Sequence, residues 1–168
     1  MSTGKATVCL WFDGGIEEAA RFYDETFPGG AMGEIHRAPG DYPGGGEGDA
    51  LTATLTICGI SYLLLNGGPE FRPNESYSLQ VNTDTQEETD RLWNAIVANG
   101  GAESACGWCR DRWGYSWQIT QRFLTEGLAD PDPATRKRVF DAMMTMGKID
   151  HAAIEQARRG GKQEQSSS

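Results

Sequence analysis

Two cysteines three positions apart, Cys106-Gly-Trp-Cys109, have the spacing in this chain that most suggests chemistry. A Cys-x-x-Cys pair can cycle between dithiol and disulfide, or supply half of a zinc site. Redox pairs of this kind open a helix, whose dipole lowers the thiol pKa. Here the pair falls in an extended run ahead of a tight turn at Trp113-Gly114. Three extended steps of about 3.3 Å put the two Cα atoms roughly 10 Å apart, beyond the roughly 7 Å that a disulfide allows. Odd spacing also sends the thiols to opposite faces of a strand. A zinc site would require Cys9 or Cys58 to converge on them. The expectation is therefore that neither chemistry operates, and that one of the two thiols faces an interior beside Trp108 or Arg110. A nucleophilic thiol would need a neighbouring base. The two imidazoles, His36 in a strand-like run and His151 at a terminal helix, are not placed to serve and read as structural or solvent-facing.

What remains is a set of aromatic and neutral polar residues suited to holding a small molecule. Ligand sites combine apolar or aromatic walls with a few polar groups. The candidates are Cys9, Trp11, Ser78, Gln80, Cys106, Trp108, Arg110, Ser116 and Gln118. Trp93 lies on a helical apolar stripe and reads as core. Trp117 alternates with Gln118, so it should face a helix layer if Gln118 faces the pocket. No residue is assigned a catalytic role.

The elements that position these residues follow from periodicity. Val8–Phe12 reads as a strand, and Ile16, Ala20, Tyr23 and Phe27 make a helical stripe ended by Pro28-Gly29-Gly30. Strands are expected at 31–37, 50–57 and 60–66, with a flexible Gly/Pro loop from Pro39 to Asp49. The grammar then repeats: a strand at 76–81, a Thr85-x-x-Glu88 capping box, a stripe of Leu92, Trp93, Ile96 and Val97, and a stop at Asn99-Gly100-Gly101. Strand-like runs follow near 102–105, 106–112 and 116–121. Strand, helix, Gly-Gly stop and three strands, twice, indicate an internal duplication. Beyond it, Asp132-Pro133 opens a Met-rich helix, Asp150 caps a short last helix, and the chain ends in a polar tail expected to be disordered. The divisions are 5–70, 71–125, a helical extension at 130–158, and the tail at 159–168.

Composition narrows the partners. Of the 168 residues 38% are hydrophobic, enough for one good core or two small ones. The net charge is −9, and residues 1–70 carry 3 basic against 10 acidic side chains. Phosphate binding needs clustered Lys and Arg, so nucleic acid and anionic membrane are not expected. Arg136-Lys-Arg138 is a short basic run that reads as a solvated helix face. No apolar run approaches the roughly 20 residues that span a bilayer, and Met1-Ser-Thr-Gly-Lys5 lacks a signal-peptide core. Four cysteines in such a chain are not a disulfide framework. A cytoplasmic location is expected.

The combined motifs carry a resemblance. Leu10-Trp-Phe-Asp-Gly14, Glu18-Ala-Ala-x-Phe-Tyr23, Ser76-x-Ser-Leu-Gln-Val81, Cys106-Gly-Trp108, Asp111-x-x-Gly114 and Ser116-Trp-Gln-Ile119 resemble the PhnB-like branch of the vicinal oxygen chelate superfamily. That branch is often labelled 3-demethylubiquinone methyltransferase-like, and the superfamily includes glyoxalase, extradiol dioxygenases and bleomycin-resistance proteins. The Met-rich segment Arg138–Lys148 is similar to one in its longer members. The resemblance implies an α+β fold of two βαβββ modules forming a curved, partly open barrel, with C-terminal helices added, and pairing into a homodimer.

It also implies where a divalent metal would sit in the wider superfamily: between His and carboxylate ligands on the first and last strand of each module. Carried over by pattern, these positions fall at Gln118, near Leu64, near Thr7 or Cys9, and near Ser76 or Ser78. None is a carboxylate or imidazole, and a neutral amide is a poor ligand for such a cation. No metal or other cofactor is expected. The leading expectation is a metal-independent binding protein for a small, partly aromatic or apolar ligand, as in the bleomycin-resistance proteins. The alternative is an enzyme of the superfamily: a lyase, isomerase, dioxygenase or methyltransferase.

Overall fold

The computed structural model describes residues 5–160 of the chain. These residues divide into two compact units, the first ending at Asn74 and the second beginning at Glu75. The first contains β1 (Val8–Phe12), α1 (Ile16–Thr26), β2 (Ala31–Arg37), β3 (Ala50–Ile57) and β4 (Ile60–Asn66). Its open sheet has the order β1-β4-β3-β2, with β1 and β4 parallel and the other pairs antiparallel. The second unit repeats this with β5 (Ser78–Thr83), α2 (Gln86–Ala98), β6 (Ala102–Glu103), β7 (Trp108–Arg110) and β8 (Ser116–Gln121), in the order β5-β8-β7-β6. Each unit is thus one βαβββ module, and the α+β class follows.

Alternation along the strands separates the two faces of each sheet. Leu10, Phe12, Ala53, Leu55, Ile57, Tyr62 and Leu64 are buried, as are Ile16, Ala19, Ala20 and Tyr23 of α1. In the second unit Val81, Cys109, Trp117 and Ile119 are buried with Leu92, Trp93 and Ile96 of α2. Burying such a set on one face fixes the register, because a one-residue slip would turn every side chain over. Thr85 caps α2 by accepting from Glu88 N (3.1 Å), while the Glu88 carboxylate accepts from Asp84 N (2.9 Å). This is the expected box with its return bond shifted by one residue.

Two local expectations change. The segment from Pro39 to Asp49 is a closed loop rather than a loose one. Ala38 N donates to Asp49 O and Gly48 N to Ala38 O. The Asn66 amide donates to Tyr42 Oη (3.0 Å) and Ala50 O (3.3 Å). The run expected as a strand from 106 to 112 is extended only over Trp108–Arg110; Cys106 sits in the preceding turn with φ +58°.

The helical extension belongs to the second unit. A helix not expected from sequence, α3 (Arg122–Leu128), leads directly off β8, followed by α4 (Pro133–Met143) and α5 (His151–Arg159). Asp132 caps α4 and Asp150 caps α5 through their carboxylates. Leu124, Val139, Ile149 and Ile154 form a small core among these helices. Gly127 lets α3 approach α4, since a Cβ there would meet the Val139 methyls at 3.1 Å. The extension is tied back by backbone bonds from Cys106 N to Met146 O (2.8 Å) and Gly107 N to Gly147 O (2.7 Å). The Gln86 side chain adds two more, donating to Ile149 O (3.1 Å) and accepting from His151 N (2.7 Å). Residues 161–168, most of the expected tail, lie outside the described residues. No helix among the described residues is long and apolar enough to cross a membrane.

Candidate functional site: the open face of the second sheet

Strand register brings six of the nine candidate residues onto one surface. Arg110 pairs with Ser116, which pairs with Ser78; Trp108 pairs with Gln118, which pairs with Gln80. Directly opposed residues share a face of a sheet. These two rows therefore lie side by side, opposite the face that buries Cys109, Trp117 and Ile119 against α2. Asn82 and Thr120 form a third row that sequence reasoning did not single out. Polar groups dominate this face. The Gln118 amide donates to Ser78 Oγ (2.8 Å), and the Gln80 amide to Asn82 Oδ1 (3.1 Å). Trp108 and Gln118 are half-buried, Ser116 is buried, and Gln80 and Arg110 are exposed.

The hairpin that carries these rows is held by Asp111, only 3% exposed. Its Oδ1 accepts from Trp113 N and Tyr115 N, each at 3.0 Å, and its Oδ2 accepts from the Trp117 indole N–H at 2.9 Å. Its own backbone closes the turn through Asp111 N to Tyr115 O (2.9 Å) and Gly114 N to Asp111 O (3.1 Å). Gly114, at φ +99°, takes a conformation that a side chain would resist. The Asp-x-x-Gly spacing is thus a turn device, and it sets the positions of Arg110 before it and Gln118 after it. Trp117 faces the helix layer, 2% exposed, as its alternation with Gln118 requires.

Cys9 and Trp11 lie in the other unit, on the sheet face turned away from buried Leu10 and Phe12. Trp11 shares a row with Leu65, Thr52 and His36, and Cys9 with Leu63 and Thr54. The Trp11 indole donates to Gly68 O (2.8 Å) and meets the Phe71 ring edge-on at 5.0 Å. Cys9 is exposed, but partial burial of its thiol raises the pKa above the ordinary value. His36, expected to be structural or solvent-facing, shares a row with Trp11 and is exposed. It stands 3.5 Å from Glu34, with both side chains largely exposed.

The Cys-x-x-Cys pair separates. Cys109 is buried on the helix side, and its thiol pKa is pushed up to about 12, first by burial and then by the charges of Asp111 and Glu103. Such a thiol stays protonated and inert at neutral pH. Cys106 sits in its turn with Sγ 3.7 Å from Met144 Sδ, off the strand that carries Trp108 and Arg110. Both are free cysteines.

The donor set does not suit a divalent ion. Gln118 presents an amide whose nitrogen is engaged with Ser78. In the other unit Leu64 is fully buried between the apolar neighbours Leu63 and Leu65. Among the described residues no three His, Cys, Asp or Glu side chains group as metal ligands. His151 stacks on Phe123 (4.6 Å between ring centres), and the Arg158 guanidinium lies 4.2 Å from the same ring.

Comparison with known proteins places this geometry in context. The model of the family described as 3-demethylubiquinone-9 3-methyltransferase matches residues 4–120. A PhnB protein from Bacillus cereus, whose description carries the same methyltransferase name, is 31% identical with a TM-score of 0.62; the match covers 70% of this chain and 99% of that one. Protein PA1353 from Pseudomonas aeruginosa is 21% identical with a TM-score of 0.58, covering 71% of this chain and 98% of its own. The fosfomycin resistance protein FosX from Mesorhizobium loti is 15% identical with a TM-score of 0.51, covering 77% and 100%. The last two are similar in fold alone. Among curated proteins none matches.

Proposed function

The chain belongs to the 3-demethylubiquinone-9 3-methyltransferase, or PhnB-like, family of the glyoxalase and bleomycin-resistance superfamily, and from that premise we propose that it is a metal-independent small-molecule-binding protein. One observation carries this reading. Where the resemblance implies an anionic metal ligand stands Gln118, a neutral amide whose nitrogen is engaged with Ser78 on a polar face floored by Trp108. An amide and a hydroxyl can orient a ligand; they are weak donors to a hard cation. Trp108 supplies flat apolar area for an aromatic or apolar group, and Arg110, Ser78, Gln80 and Ser116 supply the polar contacts. In the other unit, Cys9 and Trp11 are the residues offered to a ligand.

The methyltransferase name finds little support in the fold. Nucleotide-type cofactors bind on large parallel sheets where a Gly-rich turn opens a helix. Each sheet here has one parallel pair among antiparallel ones, and the glycine cluster Gly44–Gly48 runs into β3. The protein in this reading works in the cytoplasm and pairs with a second copy, for which the exposed Phe140 of α4 and Met144 just after it offer an apolar patch.

The test is a thermal-shift and calorimetric screen of small aromatic acids, amides and amines in EDTA. A compound that stabilises the wild type in EDTA, and loses at least tenfold in affinity with Trp108→Ala, supports the proposal; tenfold is about 1.4 kcal/mol. Binding that appears only when a divalent ion is restored, at one ion per chain, overturns it.

A further inference from the structure

At the β6–β7 margin of the open face lies a pocket of about 210 Å³, lined by Glu75, Glu103, Ser104, Trp108, Arg110 and Ser116 among others. We propose that this pocket takes a zwitterion of amino-acid size, its carboxylate on Arg110, its ammonium on Glu75 and its side chain against Trp108. The inference rests on the reading of this face as a binding surface, and adds the class of molecule bound.

Size comes first. Sites for drug-sized ligands run to roughly 300–1,000 Å³, so a space of this volume holds something smaller. Charge comes second. Glu75 and Arg110 are exposed and line one pocket, yet they form no ion pair with each other, and neither side chain has an ion pair or hydrogen bond among the described residues. Glu103, the other acid, is engaged through the Trp93 indole N–H at 3.1 Å. Two opposite charges held across a small space present complementary ends to a dipolar ligand. Glu103 pairs with Cys109, so its carboxylate lies on the helix face and leaves Glu75 as the acid beside Arg110. A simple anion would be drawn to Arg110 but repelled by Glu75; a simple cation would meet the reverse. Each is favoured by one end and opposed by the other, whereas a zwitterion satisfies both. Geometry is third. Arg110 and Trp108 are two apart on β7 and so share a face, and Arg110 is opposed by Ser116 on β8. An Arg fork suits a carboxylate, and the indole two residues away is placed for an apolar or aromatic side chain.

The experiment uses three matched probes on the full chain: L-phenylalanine, 3-phenylpropionate, which lacks the ammonium, and phenethylamine, which lacks the carboxylate. Calorimetry and ligand-observed NMR read binding to the wild type, Arg110→Gln and Glu75→Gln; both substituted side chains are exposed, and circular dichroism checks the fold. The expected result is saturable L-phenylalanine binding at least tenfold tighter than either fragment. Arg110→Gln should bring it down to the level of phenethylamine, and Glu75→Gln to that of 3-phenylpropionate. L-phenylalanine binding no tighter than 3-phenylpropionate, or unaffected by both substitutions, overturns the zwitterion. If 3-phenylpropionate then binds the wild type and is lost with Trp108→Ala, the binding face itself stands. If no compound in the EDTA screen depends on Trp108, the wider reading falls as well.

Discussion

Removing the Asp111 carboxylate should cost more than any other single change on the β7–β8 hairpin. Three donors converge on it, two backbone N–H groups at 3.0 Å and the Trp117 indole at 2.9 Å. Hydrogen bonds to a charged group are worth about 1.5–3 kcal/mol each, and a buried donor left alone costs about 1–3 kcal/mol. Trp113 N is only part-buried and can turn to water. Tyr115 N and Trp117 Nε1 are buried and cannot. Asp111→Ala should therefore destabilise by about 3–5 kcal/mol, much of a typical total of about 5–15. The melting temperature should fall by roughly 6–20 °C. Asp111→Asn keeps an oxygen for the two backbone donors but turns an NH2 toward the indole N–H, so about 2 kcal/mol should go. Trp117→Phe removes that donor, and the Asn variant made on this background should cost less than it does alone. Urea titration followed by circular dichroism gives all four values. A loss below about 1 kcal/mol for Asp111→Ala, or simple additivity in the cycle, would refute the account of the hairpin.

Thiol labelling at pH 8 with mass-spectrometric mapping should modify exposed Cys58 and leave Cys109 untouched until urea is added, because burial holds its pKa near 12. Its folded pKa lies above the unfolded value of 9.0, so the stability it contributes is complete below about pH 9 and is lost as pH rises toward 12; denaturant midpoints across that window should fall, and the Cys109→Ala variant should show less of the decline. Gln86→Leu removes the side chain that binds Ile149 O and His151 N, and should cost about 1–3 kcal/mol; limited proteolysis should cut within 144–160 at least tenfold faster than in the wild type. Gly67→Ala would put a Cβ about 2.3 Å from the Trp11 ring, which must swing away and give up its bond to Gly68 O; about 1–3 kcal/mol of stability should go, with a change in near-ultraviolet dichroism.

Periodicity made the module legible. Expected strands at 31–37, 50–57 and 60–66 coincide with β2, β3 and β4, and the capping signals at Thr85, Asp132 and Asp150 open α2, α4 and α5. The helix α3 was not legible. Its seven residues are too few to show a stripe, and Gly127 inside it argues against a helix on propensity, at about 1 kcal/mol against Ala; close approach to Val139 is the reason for that glycine. The loop at 39–49 misled for a similar reason. Its glycines suggest freedom, but its order comes from Asn66, which lies beyond it in sequence. Alternation sufficed to put Trp108, Arg110, Ser116 and Gln118 on one face, because a strand has only two. It could not exclude Cys106 from the strand, since a non-glycine residue at φ +58° leaves no mark in the sequence. Nor could it find Glu75, which reaches the pocket from the segment before β5.

The fastening of the C-terminal extension has a consequence for the order in which the molecule assembles. The family model matches residues 4–120, which span the two βαβββ modules and end before α3, α4 and α5. Here Gln86 waits for Ile149 and His151 across separations of 63 and 65 residues. Contacts that distant close last, after local strands and helices have formed. During synthesis, which proceeds from the N-terminus, α2 and the β8 end of the second sheet are made before their covering helices exist, and Leu124 has no Val139 or Ile154 to meet. The extension thus acts as a late-arriving clasp. Chains stalled before residue 149 should show native-like sheets with a sticky helical flank, and completing the last dozen residues of α5 and its approach should quench that surface in a single step.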